Sequence, residues 1–445
     1  MADKVYVRRY GTGANDTLNG DGNNDLMYGF AGNDTLSGNG GDDRLLGGDG
    51  DDTLYGGIGN DDLFGDKGND RLFGGDGLDT LNGGEGRDHM DGGNGVDTVD
   101  YQLSSARVTV NLALGLGRDG DAQGDTYASI ENVLGSAFND SIIGNDDKNR
   151  VEGNDGDDFI DGRGGDDYLS GGLGNDTFMG GEGADQMHGQ LGNDWVDYSN
   201  APPVTASVFG GVEGMWISLQ SNSGAGGYAE GDTYSNIENV RGSNGVDNIL
   251  GNASANIIEG GGGNDVIIGF GGTDTLDGGE GVDVLSYYFS TSAVTVNLGT
   301  NTANGGDATG NTIRNFESVY GSNSGGDSLT GSSGDNLLNG YGGNDTINGG
   351  QGNDTMIGGE GSDTFVFDLA YFADGVSHDR ITDFRVGIDR IEIRGVGVDS
   401  MSDLTISQQW GFTMVSFEDN FGNVDTIALN GVVASQLNSE SFLFS

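Results

Sequence analysis

The chain has no cysteine, two prolines in 445 residues, and 18 lysines and arginines against 71 aspartates and glutamates. Without cysteine no disulfide can staple it, so a folded form outside the cell needs another kind of cross-link. A formal net charge of −53 denies it the basic face that nucleic-acid binding requires. Nowhere do about eighteen apolar residues run together, so no membrane span is expected. The N-terminal segment, residues 1–10, has Arg8 and Arg9 but no apolar stretch behind them, and does not read as a cleavable secretory signal.

Catalytic signatures are equally scarce. The three histidines, His89, His188 and His378, stand outside any His-Glu-x-x-His pattern, and the two in repeats are expected to be solvated side chains. No Gly-x-Ser-x-Gly elbow occurs. The acidic run Asp49-Gly-Asp-Asp52 lacks the spacing and final glutamate of an EF-hand. The repeats described next begin at Gly11, leaving no room ahead of them for an enzyme domain, so the chain is expected not to be an enzyme.

What the chain does have is glycine, 90 residues of it, in a strict period. The phrase Gly-Gly-x-Gly-x-Asp-x-(apolar)-x repeats ten times in frame from Gly11 to Asp100. Its aspartates are Asp16, Asp25, Asp34, Asp43, Asp52, Asp61, Asp70, Asp79, Asp88 and Asp97, each followed two places later by Leu, Met or Val. The glycines allow backbone angles that a β-carbon forbids, so the first six residues can form a tight turn ending in a carboxylate. Carbonyl and carboxylate oxygens in a flexible loop suit calcium better than magnesium. The last three residues, one apolar between two polar, read as a three-residue strand with one face inward. Nine residues make half a coil, and eighteen a full one. No repeat buries its apolar side chain alone, so neighbours must stack.

Three further blocks follow. The second has seven repeats with Asp140, Asp158, Asp167, Asp176, Asp185 and Asp194; the third has five with Asp247, Asp265, Asp274 and Asp283; the fourth has Asp327, Asp345, Asp354 and Asp363. The second repeat of each carries asparagine instead: Asn149, Asn256 and Asn336. A neutral amide is a weaker ligand, so these read as cap positions without an ion. The expected organisation is an N-terminal segment (1–10), a first block (11–100), a connector (101–134), a second block (135–197), a connector (198–241), a third block (242–286), a connector (287–320), a fourth block (321–366) and a tail (367–445). The connectors share phrases such as Gly124-Asp-Thr-Tyr127 and Gly231-Asp-Thr-Tyr234, and read as strands that extend or cap the blocks. The second connector adds Met215-Trp216-Ile217-Ser218-Leu219, read as a lengthened hairpin or, alternatively, an exposed apolar contact patch.

The nonapeptide resembles that of the RTX (repeats-in-toxin) calcium-binding proteins. The resemblance implies an all-β chain, a right-handed parallel β-roll solenoid of stacked nonapeptides in four blocks with β-strand connectors and a C-terminal β cap. It implies that the 24 repeat aspartates named above bind calcium in the turns. If each block of n repeats completes about n − 2 sites, the chain takes up about 19 calcium ions, offsetting roughly 38 negative charges. The tail phrase Asp379-Arg-Ile381-Thr-Asp383-Phe384-Arg-Val-Gly387-Ile-Asp389-Arg-Ile391, and the ending Ser441-Phe-Leu-Phe-Ser445, resemble the C-terminal region of serralysin-type proteins. This implies a cap carrying an uncleaved signal for the type I secretion machinery, and hence a secreted, bacterial, extracellular or surface protein.

Four functions remain open at this level. The first is a non-enzymatic calcium-binding protein of the cell surface or biofilm matrix, unfolded in the cytosol and folded by calcium after export. The others are an adhesin binding extracellular polysaccharide, a layer self-assembled from copies of itself, and a polysaccharide-modifying enzyme without a visible motif. Arg44, Asp62 and His89 interrupt the outward threonine ladder, which argues against a regular ice-binding face.

Overall fold

The computed structural model describes residues 6–204, 207–208, 212–368, 377–395, 397–418 and 424–445. Among them the regular structure is β-strand with a few one-turn 3₁₀ segments, and no helix is long and apolar enough to cross a membrane. The chain forms two compact units, one of Met1–Tyr198 with Asn222–Ile237 and the other of Ser199–Ser221 with Glu238–Ser445.

In the first unit, alternate repeats feed alternate sheets. Thr17–Asn19, Thr35–Gly40, Thr53–Ile58, Arg71–Gly77 and His89–Gly95 stack in one. Asp25–Ala31, Arg44–Asp49, Asp62–Gly68, Thr80–Asn82 and Thr98–Asp100 stack in the other. All neighbours within the block are parallel, one full coil apart, so Leu36 sits over Leu54 and Leu45 over Leu63. The period-two strand pattern points the eighth repeat residue inward. Met27, Leu36, Leu45, Leu54, Leu63, Leu72, Leu81 and Met90 are fully buried. Each contributes roughly 1.5–3 kcal/mol of transfer free energy. This is a parallel β-roll, built as the period requires.

The turns depend on left-handed backbone at the second and fourth repeat places, as at Gly48 (φ 110°) and Gly50 (φ 136°). Phe30, Asp66 and Arg163 occupy second places and still adopt φ of 78°, 71° and 73°. Stacking therefore imposes the turn even where the residue resists it.

The first connector inserts antiparallel strands into the stack. Thr126–Ala128 pairs parallel with the last first-block strand of one sheet, His89–Gly95. Leu116–Arg118 runs antiparallel to it and to Thr109–Asn111. Thr109–Asn111 in turn pairs parallel with Ser141–Ile143 of the second block. The third connector repeats the arrangement in the second unit with Thr295–Asn297, Thr302–Asn304 and Thr312–Arg314. In the second connector the chain gives Ser199–Ser221 to one unit and Asn222–Ile237 to the other.

Inside the first connector Tyr101 donates to Asp125 at 2.7 Å, and its hydroxyl meets that of Tyr127 at 2.6 Å. Tyr198, Asp232 and Tyr234 repeat this buried group, with 2.5 and 2.7 Å contacts.

The segment Met215–Ser218 is not an exposed patch. It is a parallel partner of Asp247–Leu250, with Met215 and Ile217 fully buried. The alternation apolar-Trp-apolar sends only Trp216 to the outer face. In the tail, Arg390–Arg394 pairs with Thr364–Asp368 and with Phe442–Phe444, and His378–Ile381 pairs with Thr355–Ile357. The tail's first ten residues fall partly outside the described residues.

Candidate cation sites

Of the 24 repeat aspartates, 23 are buried; Asp16, in the first turn, is half-exposed. Burying a carboxylate without partners is costly, so the placement of both oxygens matters. Oδ1 has a repeated task. It accepts the backbone N–H of the aspartate one coil earlier, as from Asp34 to Asp52 (2.7 Å), Asp52 to Asp70 (2.7 Å) and Asp70 to Asp88 (2.8 Å). This ladder of side chain on backbone ties every coil to the next.

Oδ2 is different. In Asp34, Asp43, Asp52, Asp61, Asp70, Asp79, Asp88, Asp97, Asp158, Asp167, Asp176, Asp185, Asp265, Asp274, Asp283, Asp345 and Asp354 it is buried with no hydrogen-bond partner. Glycine at the first repeat place keeps room beside it: a Cβ on Gly65 would overlap both Asp70 Oδ2 and the Gly83 carbonyl oxygen. Oxygens of side chain and backbone thus converge with no hydrogen between them. Burial, reinforced by neighbouring carboxylates, pushes Asp61, Asp70 and Asp88 up to about 7, and Asp158, Asp265 and Asp354 up to about 8. Burial likewise pushes Asp167 up to about 8. An oxygen-seeking divalent cation fits such a donor set. Among the described residues no three His, Cys, Asp or Glu side chains gather into a metal cluster, so any ion here must draw on main-chain carbonyls as well.

The opening repeats of each block are already satisfied by protein. Thr12 N–H and Oγ1 donate to Asp16 Oδ2 at 2.6 and 2.8 Å, and Asp21 N–H donates to Asp25 Oδ2 at 3.0 Å. Ser243 N–H donates to Asp247 Oδ2 and Ser322 N–H to Asp327 Oδ2, each at 2.6 Å; Ser136 N–H does the same for Asp140. At the asparagine positions the amide Nδ2 donates to a connector carbonyl: Asn149 to Glu131 (2.8 Å), Asn256 to Glu238 (2.7 Å) and Asn336 to Glu317 (2.9 Å). Their Oδ1 takes the place that Oδ2 has in the aspartates and accepts the N–H four residues earlier, from Asn145 (2.8 Å), Asn252 (2.8 Å) and Ser332 (2.6 Å). Asp363 also departs, because Arg385 donates to its Oδ2 at 3.1 Å.

Several residues outside the repeats carry the ladder onward. Asp125 Oδ1 accepts from Asp88 N–H, Glu131 Oε2 from Asp97, Asp232 Oδ1 from Asp185, Asn311 Oδ1 from Asp274 and Glu317 Oε2 from Asp283, at 2.8–2.9 Å. Asp379 and Asp389 do so for Asp354 and Asp363, at 2.8 and 3.1 Å. The repeat histidines are not simply solvated. His89 Nδ1 lies 3.0 Å from Thr126 Oγ1, and half-buried His188 packs against the Tyr168 ring at 4.9 Å. Its neighbours in the stack cover it.

A two-sheet solenoid whose inner coils bury carboxylate oxygens open to a cation belongs to the class of metal-stapled β-rolls. The family model of the RTX calcium-binding nonapeptide repeat matches in overlapping copies over residues 10–99, 134–196, 241–285 and 322–365. The chain belongs to that family and is a calcium-binding repeat protein. Among solved structures it is similar to the AlgE6R3 subunit of the Azotobacter vinelandii mannuronan C5-epimerase, at 24% identity over 39% of this chain and 80% of that one, TM-score 0.22. The AlgE6R2 subunit of the same enzyme matches at 24% identity over 37% and 92%, TM-score 0.20. Extracellular lipase LipA of Serratia marcescens matches at 16% identity over 60% and 45%, TM-score 0.20. No curated protein matches.

Proposed function

We propose that this chain is a secreted, non-enzymatic calcium scaffold, unfolded where calcium is scarce and folded by it after export through a type I channel. The observation that carries the reading is the row of seventeen buried repeat Oδ2 atoms without a hydrogen-bond partner among the described residues. Each is a local defect in the calcium-free roll and a ligand in the loaded one. One ion per such oxygen would make a load of about 17, close to the count expected from the block lengths. The charge of −53 opposes compaction until the ions arrive. The residues holding them are the aspartates with open Oδ2, together with turn carbonyls. Calcium supplies charge neutralisation and a cross-link between coils; the chain's own part is to present oxygens and exclude water. The tail's similarity to serralysin-type C-terminal regions supports export. The test is expression beside a type I exporter with and without residues 367–445: the full chain is expected in the medium and the truncated chain in the cells. Retention of the full chain would reject the route.

A polysaccharide-binding role is favoured by one feature of the second unit. Trp216, Gln220, Asn248, Phe270 and Phe289 line an open groove of about 650 Å³ on the outer sheet face. Phe270 and Phe289 stack at 5.7 Å, and flat rings beside side-chain amides suit sugar rings. A glycan array read with calcium, for the wild type and Phe289→Ala, tests it. Hits lost in the variant support a glycan ligand, and no hits reject it.

A further inference from the structure

Arg385 stands where other repeats leave a cation position open. Its Nη2 donates to Asp363 Oδ2 at 3.1 Å, to the Gly361 carbonyl at 2.7 Å and to Asp389 Oδ1 at 2.9 Å. Its Nε and main-chain N–H reach Asp389 Oδ2 at 3.1 and 2.7 Å. Asp363 is an ordinary fourth-block repeat aspartate in every other respect. It is buried, and its Oδ1 accepts the Asp345 N–H at 3.0 Å. Asp389, from the tail, takes the next rung by accepting the Asp363 N–H. The guanidinium therefore touches two successive ladder carboxylates and a turn carbonyl on one edge of the roll. The arginine at the opposite end of the chain does something else. Arg9 Nε donates to Asp25 Oδ1 at 2.9 Å, the atom that elsewhere accepts a backbone N–H, so it replaces a missing coil rather than an ion.

We propose that Arg385 is a built-in cation, holding the position a calcium ion takes in the other coils, so that the last coil and tail close without calcium. This rests on the calcium reading of the repeats. A planar, permanently charged group with several donors suits two carboxylates and a carbonyl at once. The closed end then offers finished strand edges, Thr355–Ile357 and Thr364–Asp368, on which the calcium-dependent coils stack. Because each coil draws stability from its neighbours, such a template removes the cost of starting the first coil.

The experiment uses the full chain. Bound calcium per chain is measured by equilibrium dialysis with elemental analysis for wild type, Arg385→Gln, Arg385→Lys and Arg118→Gln, the last removing a charge from an exposed strand elsewhere. Arg385→Gln is expected to bind one more ion than wild type, Arg385→Lys and Arg118→Gln the wild-type number. An unchanged count in Arg385→Gln would overturn the inference while leaving the calcium reading intact; no calcium in wild type would overturn both. Should Arg385→Gln fail to fold, hydrogen exchange of calcium-free wild type decides. Protection at least about tenfold above that of the repeats is expected at Thr364–Asp368 and Arg390–Arg394, and its absence there contradicts the template.

Discussion

Replacing Asp70 by asparagine separates the two oxygens of one repeat carboxylate. Asp70 lies in the middle of the first block, its Oδ1 accepting from Asp52 N–H and its own N–H donating to Asp88 Oδ1. Asparagine with its amide oxygen in the Oδ1 place keeps the ladder and puts an NH₂ group where the open oxygen was; Asn149 is turned the other way, its Oδ1 in the Oδ2 place and its NH₂ on the Glu131 carbonyl. Without calcium the substitution removes a buried, partnerless carboxylate oxygen, and the roll should gain about 1–3 kcal/mol, the usual cost of an unsatisfied buried group. With calcium at about a hundredfold excess over Kd, losing one site should cost about 2.7 kcal/mol. The signs are opposite, which ordinary packing damage cannot imitate. The assay is circular dichroism of wild type and Asp70→Asn at pH 8, read as residual β signal in chelator and as urea unfolding in calcium, with bound ions counted. Destabilisation in both conditions, or an unchanged ion count, would refute the assignment of Oδ2 as a ligand.

Acid should stabilise the calcium-free roll. Asp158, Asp167, Asp265 and Asp354 are pushed from 3.8 to about 8 by burial, so between these values the folded form holds protons that the unfolded chain releases. Stability then falls as pH rises through that window, and in chelator the β signal at pH 5 should exceed that at pH 8; equal signals would contradict this. Leu54→Ala, in the fully buried ladder, should cost about 2–5 kcal/mol, measured by urea unfolding in calcium. Asp66→Gly, relieving a left-handed non-glycine residue, should raise stability by about 1 kcal/mol in the same assay. Tyr198→Phe, stripping Asp232 and Tyr234 of a buried partner, should cost about 1–3 kcal/mol.

The nonapeptide period states its own geometry: nine residues per strand, eighteen per coil, apolar in and aspartate at the turn. That is why the repeat aspartates and the inward Leu, Met and Ile residues could be read before the fold was seen. The connectors and tail were harder for a physical reason. Asp125, Glu131, Asp232, Asn311, Glu317, Asp379 and Asp389 perform the same Oδ1 task across 25 to 47 residues instead of 18. A search for period alone passes over them. The signal was present in the offset: Gly124-Asp125-Thr-Tyr127 places a buried tyrosine two residues after its aspartate, just as a repeat places leucine. Met215–Leu219 left two readings open, a lengthened hairpin or an exposed patch, and only the alternation matched to a strand, with Met215 and Ile217 buried, removes the patch. Arg385 gives no sign in the sequence of touching Asp363, because only the fold brings the tail back to the last coil.

The central claim is that calcium, bound by the open Oδ2 atoms, makes the roll. Its most direct test is a calcium titration of the full chain followed together by circular dichroism, light scattering and ion count. The account predicts little β structure in chelator at pH 8, and its cooperative appearance as about 17 ions bind. Full β structure in chelator, or calcium uptake far below that number with the roll formed, would contradict it.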